Sequence, residues 1–321
     1  MKDEIRKVGQ LLQKPSQVLL LTHTRPDGDA IASLAALGLS LKLVKHKVFA
    51  LLPEGIPKRY TNLPGLELIS ANLPSPVDII IAVDCADEKR LGVSPEKLPG
   101  KVDINIDHHL SNTYFGKFNI VDVTAASTTQ VLYEVLKEIG IPIDVDIAGN
   151  LLTGLITDTI GFRTENVTPQ VLRLAAELQE LGASLAQIRH EALDQRTFVA
   201  LRYWGCGLSR LEQRDGVIWT ILKLSDRETA GYSGYDDADL INLMSCVGNT
   251  RIAVILIEQP GGKVKVSWRA KPGVNVSRLA ESFGGGGHEA AAGAMIVGDL
   301  EGVTDSVLAA TFDVVKADVE K

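Results

Sequence analysis

The sequence Val102-Asp103-Ile104-Asn105-Ile106-Asp107-His108-His109 joins a mostly apolar run to three ionisable side chains. The apolar part predicts a short buried strand. A carboxylate and two imidazoles then end the strand together, although such groups are seldom buried unless they are paired or coordinate a metal. The stretch therefore predicts a strand that delivers functional side chains to one end of a sheet.

Three further groups of ionisable residues follow apolar segments in the same way. They are His23 with Asp27 and Asp29, then Asp84, and then Asp158. The first two groups come after predicted strands at 17–22 and 78–83, and the third ends a predicted helix at 145–157. Ligands of open α/β sheets bind beyond the carboxyl ends of the strands. We therefore expect these groups to meet near Asp107 and to hold two divalent metal ions.

The order of the predicted elements favours an α/β fold in two domains. Strand 17–22, helix 30–43 and strand 47–52 form a strand–helix–strand unit, which is typical of a parallel sheet with helices on both faces. Hairpin signals at 214–216 and 259–262 predict a smaller α/β domain with a mixed sheet. The predicted boundaries are 1–185 for the first domain, 186–204 for a linker helix and 205–321 for the second domain.

Three elements near the linker are also predicted from local patterns. Leu185, Ile188 and Ala192 recur at helical spacing, which predicts one helix over 184–200. A strand is expected from Gly207 to Leu211, and a helix from Asp236 to Val247.

Composition is that of an ordinary globular protein of 321 residues, with 45% hydrophobic and 23% charged residues. The net charge of −7 argues against a protein that coats long duplex nucleic acid, but it allows a short anionic substrate on a local basic patch. The three cysteines form no C-x-x-C pair, which argues against a zinc ribbon and fits a reducing cytoplasm. We expect neither a signal peptide nor a membrane span.

Each acidic group also has a plain structural explanation. Asp27-Gly28-Asp29 could be a turn, and Asp84 or Asp158 could cap a helix. The segment Asp27-Gly28-Asp29 does not begin an EF-hand, because Ile31 occupies a position where that loop needs an oxygen ligand. Taken together, the groups favour a metal site. Carboxylates and imidazoles without thiolates favour Mn²⁺, with Mg²⁺ as the alternative, and two such ions can clamp both oxygens of an in-line phosphoryl displacement.

Four motifs in a fixed order carry a resemblance to a known family. They are His23-x-x-x-Asp27-x-Asp29, Val83-Asp84, Asp107-His108-His109 and Thr157-Asp158-Thr159. The pattern resembles the DHH family of phosphoesterases over nearly the whole chain. The resemblance implies one metal on His23, Asp27 and Asp84, and a second on Asp29, Asp84, His108 and Asp158.

The same resemblance implies roles for the two remaining residues of the third motif. His109 is expected to face the substrate phosphate, and Asp107 is expected to orient the histidines. Ala32 and Ile160 depart from the family, whose members often carry glycine at these positions, so the local backbone geometry is expected to differ there.

The run Gly284-Gly285-Gly286-Gly287 ends in His288 and lies inside the second domain. It could be a flexible linker, but glycines also let backbone N–H groups approach an anion. Together with Ser267-Trp268-Arg269, the run resembles the domain associated with DHH phosphoesterases. Trp268 and Ala270 depart from the residues that this family commonly has at their positions. The substrate-binding residues implied by the resemblance are Arg269, Gly285, Gly286, Gly287 and His288. Further basic residues that could supply an anion site are Arg251, Lys265, Lys271 and Arg278.

The resemblance implies a metal-dependent phosphoesterase. The most similar branch hydrolyses short oligoribonucleotides to mononucleotides and converts 3′-phosphoadenosine 5′-phosphate to AMP. The implied catalytic residues are His109, Asp107, Arg269 and His288, and a homodimer is suggested. Three alternatives stay open: a manganese-dependent inorganic pyrophosphatase, a phosphodiesterase of cyclic or linear dinucleotides, and a nucleotide-binding module without catalysis.

Overall fold

The computed structural model describes residues 1–319, with side chains up to Ala317. Two compact units are present, residues 1–195 and the residues from Arg196 onward. The division falls inside the segment 186–204 that the sequence predicts as a linker. Each unit is built on its own six-stranded sheet. Across residues 1–319, every helix falls short of the length and apolar character needed to cross a lipid bilayer.

The first unit contains a parallel sheet made from short apolar runs. Its strands are β1 (Gln17–Leu21), β2 (Lys47–Leu51), β3 (Ile69–Ser70), β4 (Ile79–Val83), β5 (Ile104–Asp107) and β6 (Phe118–Val121). They lie in the order β3-β2-β1-β4-β5-β6, and all neighbours are parallel. The strand order changes direction between β1 and β4, which is where open α/β sheets bind their ligands.

Helical segments cover both faces of this sheet. The α-helices are α1 (Lys2–Leu11), α2 (Gly28–Leu43), α3 (Thr128–Ile139), α4 (Val145–Asp158), α5 (Pro169–Glu180) and α6 (Leu185–Arg189). Buried side chains of α1 to α5 share one core with alternate strand residues such as Leu20 and Ile81. On the other face, Leu19 and Ile80 pack against the segment 85–102, which carries two short 3-10 helices. The predicted parallel sheet with helical segments on both faces is confirmed.

The second unit contains the mixed sheet. Its elements are α7 (Phe198–Leu208), β7 (Glu212–Arg214), β8 (Val217–Leu222), α8 (Leu224–Ala230), α9 (Leu240–Met244), β9 (Ile252–Gln259), β10 (Lys263–Ala270), α10 (Ser277–Ser282), β11 (Gly286–His288), β12 (Ala291–Val297) and α11 (Leu300–Val319). The strands lie in the order β11-β12-β10-β9-β8-β7. β8 and β9 are parallel, and the other neighbours are antiparallel. The predicted smaller α/β domain with a mixed sheet is therefore confirmed.

The single helix predicted over 184–200 is wrong. α6 ends at Arg189, and a π-helical segment follows over His190–Asp194. The chain is then extended up to Thr197, whose hydroxyl caps α7 by accepting the hydrogen bond of Ala200 N at 3.1 Å. A cap of this kind satisfies backbone donors that a continuous helix would have bonded internally, so it starts a new helix.

Two other predicted elements are also wrong. Gly207 to Leu211 is not a strand, because α7 continues to Leu208 and Ser209 N still donates to Gly205 O at 3.1 Å. The helix predicted from Asp236 to Val247 is reduced to α9. Ala238 and Asp239 have φ angles of 50° and 67°, and this left-handed backbone delays the start of the helix.

Candidate active site

The acidic and imidazole groups meet at the carboxyl end of the first sheet. β1, β4 and β5 are adjacent strands, so the residues that follow them lie side by side. His23 follows β1, Asp84 follows β4, and Asp107 is the last residue of β5. Asp158 is the last residue of α4 and comes within 3.2 Å of His108 Nε2. The strand ends therefore bring together groups that are far apart in sequence.

The structure gathers all the residues expected to bind metal, and we call this group the acidic centre: His23, Asp27, Asp29, Asp84, His108 and Asp158. Candidate ligand atoms of the first set, His23, Asp27 and Asp84, lie within 4.8 Å of one another. The same holds for the second set, Asp29, His108 and Asp158. Asp84 is close to both, with Oδ2 at 3.6 Å from His23 Nε2 and Oδ1 at 3.9 Å from His108 Nε2.

The first turn of α3 fixes one of the two most buried carboxylates of the acidic centre. Asp29 is 1% exposed and accepts hydrogen bonds from Thr128 N at 2.6 Å and Thr129 N at 3.2 Å. Thr128 Oγ1 also donates to Asp84 Oδ1 at 2.8 Å. A Cβ on Gly154 of α4 would lie closer than 3.0 Å to Asp29 Oδ1, so glycine makes room for this carboxylate. Sequence reasoning missed Thr128 and Gly154, and only the Ser/Thr cluster at the start of α3 hinted at the first.

A second hydrogen-bonded group holds His109. The imidazole Nδ1 lies 2.7 Å from Asp107 Oδ1. The other oxygen of Asp107 accepts from Asn112 Nδ2 at 2.6 Å, and Asn112 in turn lies 2.8 Å from Asn105 Oδ1. Among the described residues, His109 Nε2 has no hydrogen-bond partner. His109 Nδ1 lies 3.7 Å from Asp84 Oδ1 but is already bonded to Asp107. The nitrogen left to bind another group is Nε2, which favours a substrate-facing role for His109.

The carboxylates of the acidic centre are buried together and repel one another. Burial, and then the charge of Asp84, raise the pKa of Asp29 and the pKa of Asp158 well above their usual range. Burial acts on Asp84 in the same direction, but contacts with His23 and the neighbouring imidazoles outweigh it and lower the pKa of Asp84. Asp84 is thus the carboxylate whose charged form its neighbours favour. Bound divalent cations would relieve the repulsion among the others, and carboxylate and imidazole donors suit such ions.

The carboxylates around His109 favour the charged form of its imidazole. Burial disfavours the charged ring, but the hydrogen bond to Asp107 and the charges of Asp107, Asp84 and Asp158 raise the pKa of His109 to about 9. The charged ring carries a proton on each nitrogen. It can then donate from Nε2 to an anionic oxygen.

In the second unit, Arg269 and His288 lie in one row across the sheet. Arg269 of β10 pairs with Ala291 of β12, and Ala291 pairs with His288 of β11. Directly paired residues point to the same face of a sheet. Both side chains therefore lie on one face, with their backbones separated by two strand spacings, or roughly 9–10 Å. Arg269 is oriented by Asn242, whose Oδ1 accepts from Nε at 3.3 Å.

Lys265 and Arg278, two of the other basic residues named from the sequence, lie on opposite faces of the sheet. Lys265 lies four residues earlier on β10 and so shares its face. Arg278 lies on α10, whose Leu279 and Ala280 belong to the core on the opposite face of the sheet. Trp268 also faces that core, where its Nε1 donates to Thr311 Oγ1 at 3.1 Å.

The glycine run is not a flexible linker, because Gly286–His288 form the edge strand β11. A Cβ on Gly285 would lie closer than 3.0 Å to Gly293 O, and one on Gly287 closer than 3.0 Å to Ala291 O. Gly287 also has a φ of 147°, a conformation that favours glycine. Two of the glycines thus have a packing role, whereas a Cβ on Gly286 would meet nothing within 4 Å. The contribution of their amides to substrate binding stays a prediction.

Comparison with known proteins covers both units. Residues 17–155 match the N-terminal domain of the DHH family, and residues 235–317 match the DHHA1 domain. The chain is 36% identical over 314 residues to the bifunctional oligoribonuclease and PAP phosphatase NrnA of Thermus thermophilus, covering 96% of this chain and 93% of that protein. It is 25% identical over 290 residues to the protein of the same name from Bacillus subtilis, covering 87% and 89%. An exopolyphosphatase-related protein from Bacteroides fragilis has the same fold, with a TM-score of 0.88, 22% identity and coverage of 99% and 96%.

Proposed function

This chain belongs to the DHH family, and we propose that it is a metal-dependent phosphoesterase that hydrolyses short oligoribonucleotides to mononucleotides and 3′-phosphoadenosine 5′-phosphate to AMP. The observation that carries the proposal is the acidic centre, in which Asp84 lies close to both sets of candidate ligands. Similarity to two proteins named as oligoribonucleases and PAP phosphatases, over most of the chain, supports the substrate class.

We propose that His23, Asp27 and Asp84 hold one divalent ion. The second would be held by Asp29, Asp84, His108 and Asp158, with Mn²⁺ preferred over Mg²⁺ because imidazoles are among the donors. When bound, the ions supply Lewis-acid polarisation of the phosphoryl group and activation of water. The amides of Thr128 and Thr129 hold Asp29 in place for this role.

The protein's own cations complete the proposed chemistry. His109, held by Asp107 through Nδ1, presents Nε2–H to a phosphoryl oxygen on which charge develops, or to the leaving oxygen as a proton donor. Arg269 and His288 bind a phosphate of the substrate, with the amides of Gly285, Gly286 and Gly287 as further donors. We also infer that the enzyme acts in the cytoplasm, a reducing compartment that suits its free cysteines. Its net charge of −7 disfavours long duplexes and so favours short RNA.

The hydrolytic function is tested with four substrates and two metal conditions. Purified protein is incubated with a labelled RNA dinucleotide, a labelled pentanucleotide, 3′-phosphoadenosine 5′-phosphate and pyrophosphate, each with Mn²⁺ or with chelator. We expect release of mononucleotides and of AMP in Mn²⁺ alone. Turnover restricted to pyrophosphate would replace the proposal by a pyrophosphatase, and no turnover of any substrate would favour a nucleotide-binding module.

Metal binding is tested without any substrate. Adding Mn²⁺ to chelator-treated protein should raise the melting temperature, since a ligand at a hundredfold excess over its Kd stabilises by about 2.7 kcal/mol. The pKa values of Asp29 and Asp158 are raised, so these groups take up protons early as pH falls, and protons then compete with the metal. The gain should therefore be larger at pH 8 than at pH 5. An equal gain at both pH values would contradict the proposed ligand set.

A further inference from the structure

Strand β10 displays a row of cations on one face of the second sheet. Alternate residues of a strand point to the same face, so Lys263, Lys265 and Ser267 lie on the face of Arg269. The intervening residues Val264, Val266 and Trp268 are buried in the core on the other face. Successive members of the row are about 6.6–6.8 Å apart along the strand.

Each lysine of the row is paired with an exposed apolar side chain on β12. Lys265 pairs with Met295, and Lys263 pairs with Val297. These two apolar side chains are 51% and 78% exposed. Paired residues share a face. The side of the sheet that carries Arg269 and His288 therefore continues through the pair Ser267 and Gly293 to two steps that each have one cation and one apolar group.

The row has charge that can attract an anion, and it lies beside an edge of the sheet. Among the described residues, neither Lys263 nor Lys265 forms an ion pair. β11 pairs with β12 only as far as Gly293, so the part of β12 beside the two lysines forms the sheet edge within the part of the chain that the structure describes. We call Lys263, Lys265, Arg269 and His288 the cationic face.

We propose that Lys265 and Lys263 are two further phosphate subsites for single-stranded RNA, which continue the binding surface away from Arg269 and His288. This inference rests on the proposed oligonucleotide substrate and adds to it. Lysine ammonium groups bind phosphates without reading sequence. Met295 and Val297 would give the bases exposed apolar surface to contact, beside the cations that hold the backbone.

The arrangement predicts a dependence on substrate length. A nucleoside bisphosphate or a dinucleotide has too few phosphates to reach beyond Arg269 and His288 to both lysines. A pentanucleotide has enough. The two lysines should therefore favour the longer oligonucleotides among the short substrates.

The test compares the double variant K263A/K265A with a matched control, K101A/K316A. The control removes two exposed lysines that lie outside the cationic face. We expect the ratio of the pentanucleotide KM to the dinucleotide KM to rise about tenfold in K263A/K265A alone, because two phosphate contacts are lost. The slope of log KM for the pentanucleotide against log salt should become shallower by about 1.4, since each single-strand phosphate contact contributes about 0.7.

A chemical change in the substrate gives a second, independent test. A pentanucleotide is made with uncharged methylphosphonates at the two linkages farthest from the end that is cleaved. The unmodified enzyme should lose as much affinity for it as K263A/K265A loses for the normal substrate, and the variant should not distinguish the two substrates. An equal further loss in the variant would overturn the proposal.

Other outcomes separate this inference from the proposed function. If the protein hydrolyses neither oligonucleotide, the proposed function fails. If it hydrolyses both and K263A/K265A behaves like the control, only the phosphate subsites fail. A change of the variant's sedimentation coefficient at unchanged KM would assign the cationic face to contact with a second copy of the chain and would also overturn the proposal.

Discussion

The acidic centre and the cationic face each bring ionisable side chains together, but the side chains are held in place differently. In the acidic centre, Asp29 and Asp84 are each 1% exposed, and both accept hydrogen bonds from Thr128 of α3. On the cationic face, Arg269 and His288 belong to strands separated by β12. The first arrangement depends on many contacts from several elements, whereas the second follows from the register of one sheet.

This difference predicts how substitutions combine. Groups that share partners and a buried charge respond as a set, so their effects are not additive. Side chains about 7–10 Å apart with no shared partner respond independently. The acidic centre should therefore fail as a whole, and the cationic face should lose function in separate steps.

Asp84→Ala should have the largest effect, a loss of kcat of about a thousandfold or more, because several kcal/mol of transition-state stabilisation depend on the metals. The double variant D84A/H108A should be no slower than D84A, since both changes disable the same centre. Steady-state hydrolysis of a dinucleotide measures this. Asp87→Ala, three residues farther along, is the control and should retain activity. A further large loss in the double variant would show that Asp84 and His108 act separately.

Arg269→Ala and His288→Ala should each reduce kcat/KM by about 10–100-fold. This factor corresponds to the free energy of one hydrogen bond to a charged group. If the side chains contact different phosphates, the loss in the double variant should equal the product of the single losses. The measurement is kcat/KM for the dinucleotide in all four proteins of the cycle. A double variant no worse than the worse single one would mean that both groups hold one phosphate, and the contrast with the acidic centre would then disappear.

The same contrast decides how much could be predicted from sequence. Strand ends are marked by apolar runs that stop at ionisable residues, and His23, Asp84 and Asp107 were placed correctly for that reason. The groups that hold the acidic centre together were missed. Thr128 and Gly154 act through contacts with Asp29, which is far away in the sequence, and no local pattern marks a tertiary contact.

The second unit shows a different limit. Arg269 and His288 were named from a resemblance, but their common row depends on the pairing of β10, β12 and β11. A strand of the composition Gly-Gly-His has no alternation of apolar and polar side chains, so its register is invisible in the sequence. For the same reason, the glycine run could not be recognised as an edge strand.

Gly154→Ala should destabilise the protein by about 1–3 kcal/mol, the usual cost of overpacking, because its Cβ would meet Asp29 and Thr129. Gly149→Ala lies on the same helix, where a Cβ would meet nothing within 4 Å. It should instead stabilise by about 0.5–1 kcal/mol through helix propensity. Urea unfolding with and without Mn²⁺ measures the free energy of unfolding of both variants. Equal stabilities for the two variants would show that Asp29 and Thr129 leave room for a methyl group on residue 154.

The smallest expected effect concerns the backbone beside Asp158. Ile160 has a φ of 49°, a left-handed conformation that is unusual for a β-branched residue, and its side chain is 46% exposed. Ile160→Gly should be more stable than Ile160→Ala by about 1 kcal/mol, because alanine keeps the Cβ that disfavours this conformation. At an ordinary helical position the order is reversed, with alanine favoured by about 0.5–1 kcal/mol. Thermal unfolding of the two variants therefore shows directly which of them is more stable. Greater stability of Ile160→Ala would mean that the structure beside Asp158 does not hold this residue in the left-handed region. Isoleucine in place of the family's usual glycine would then not destabilise the fold.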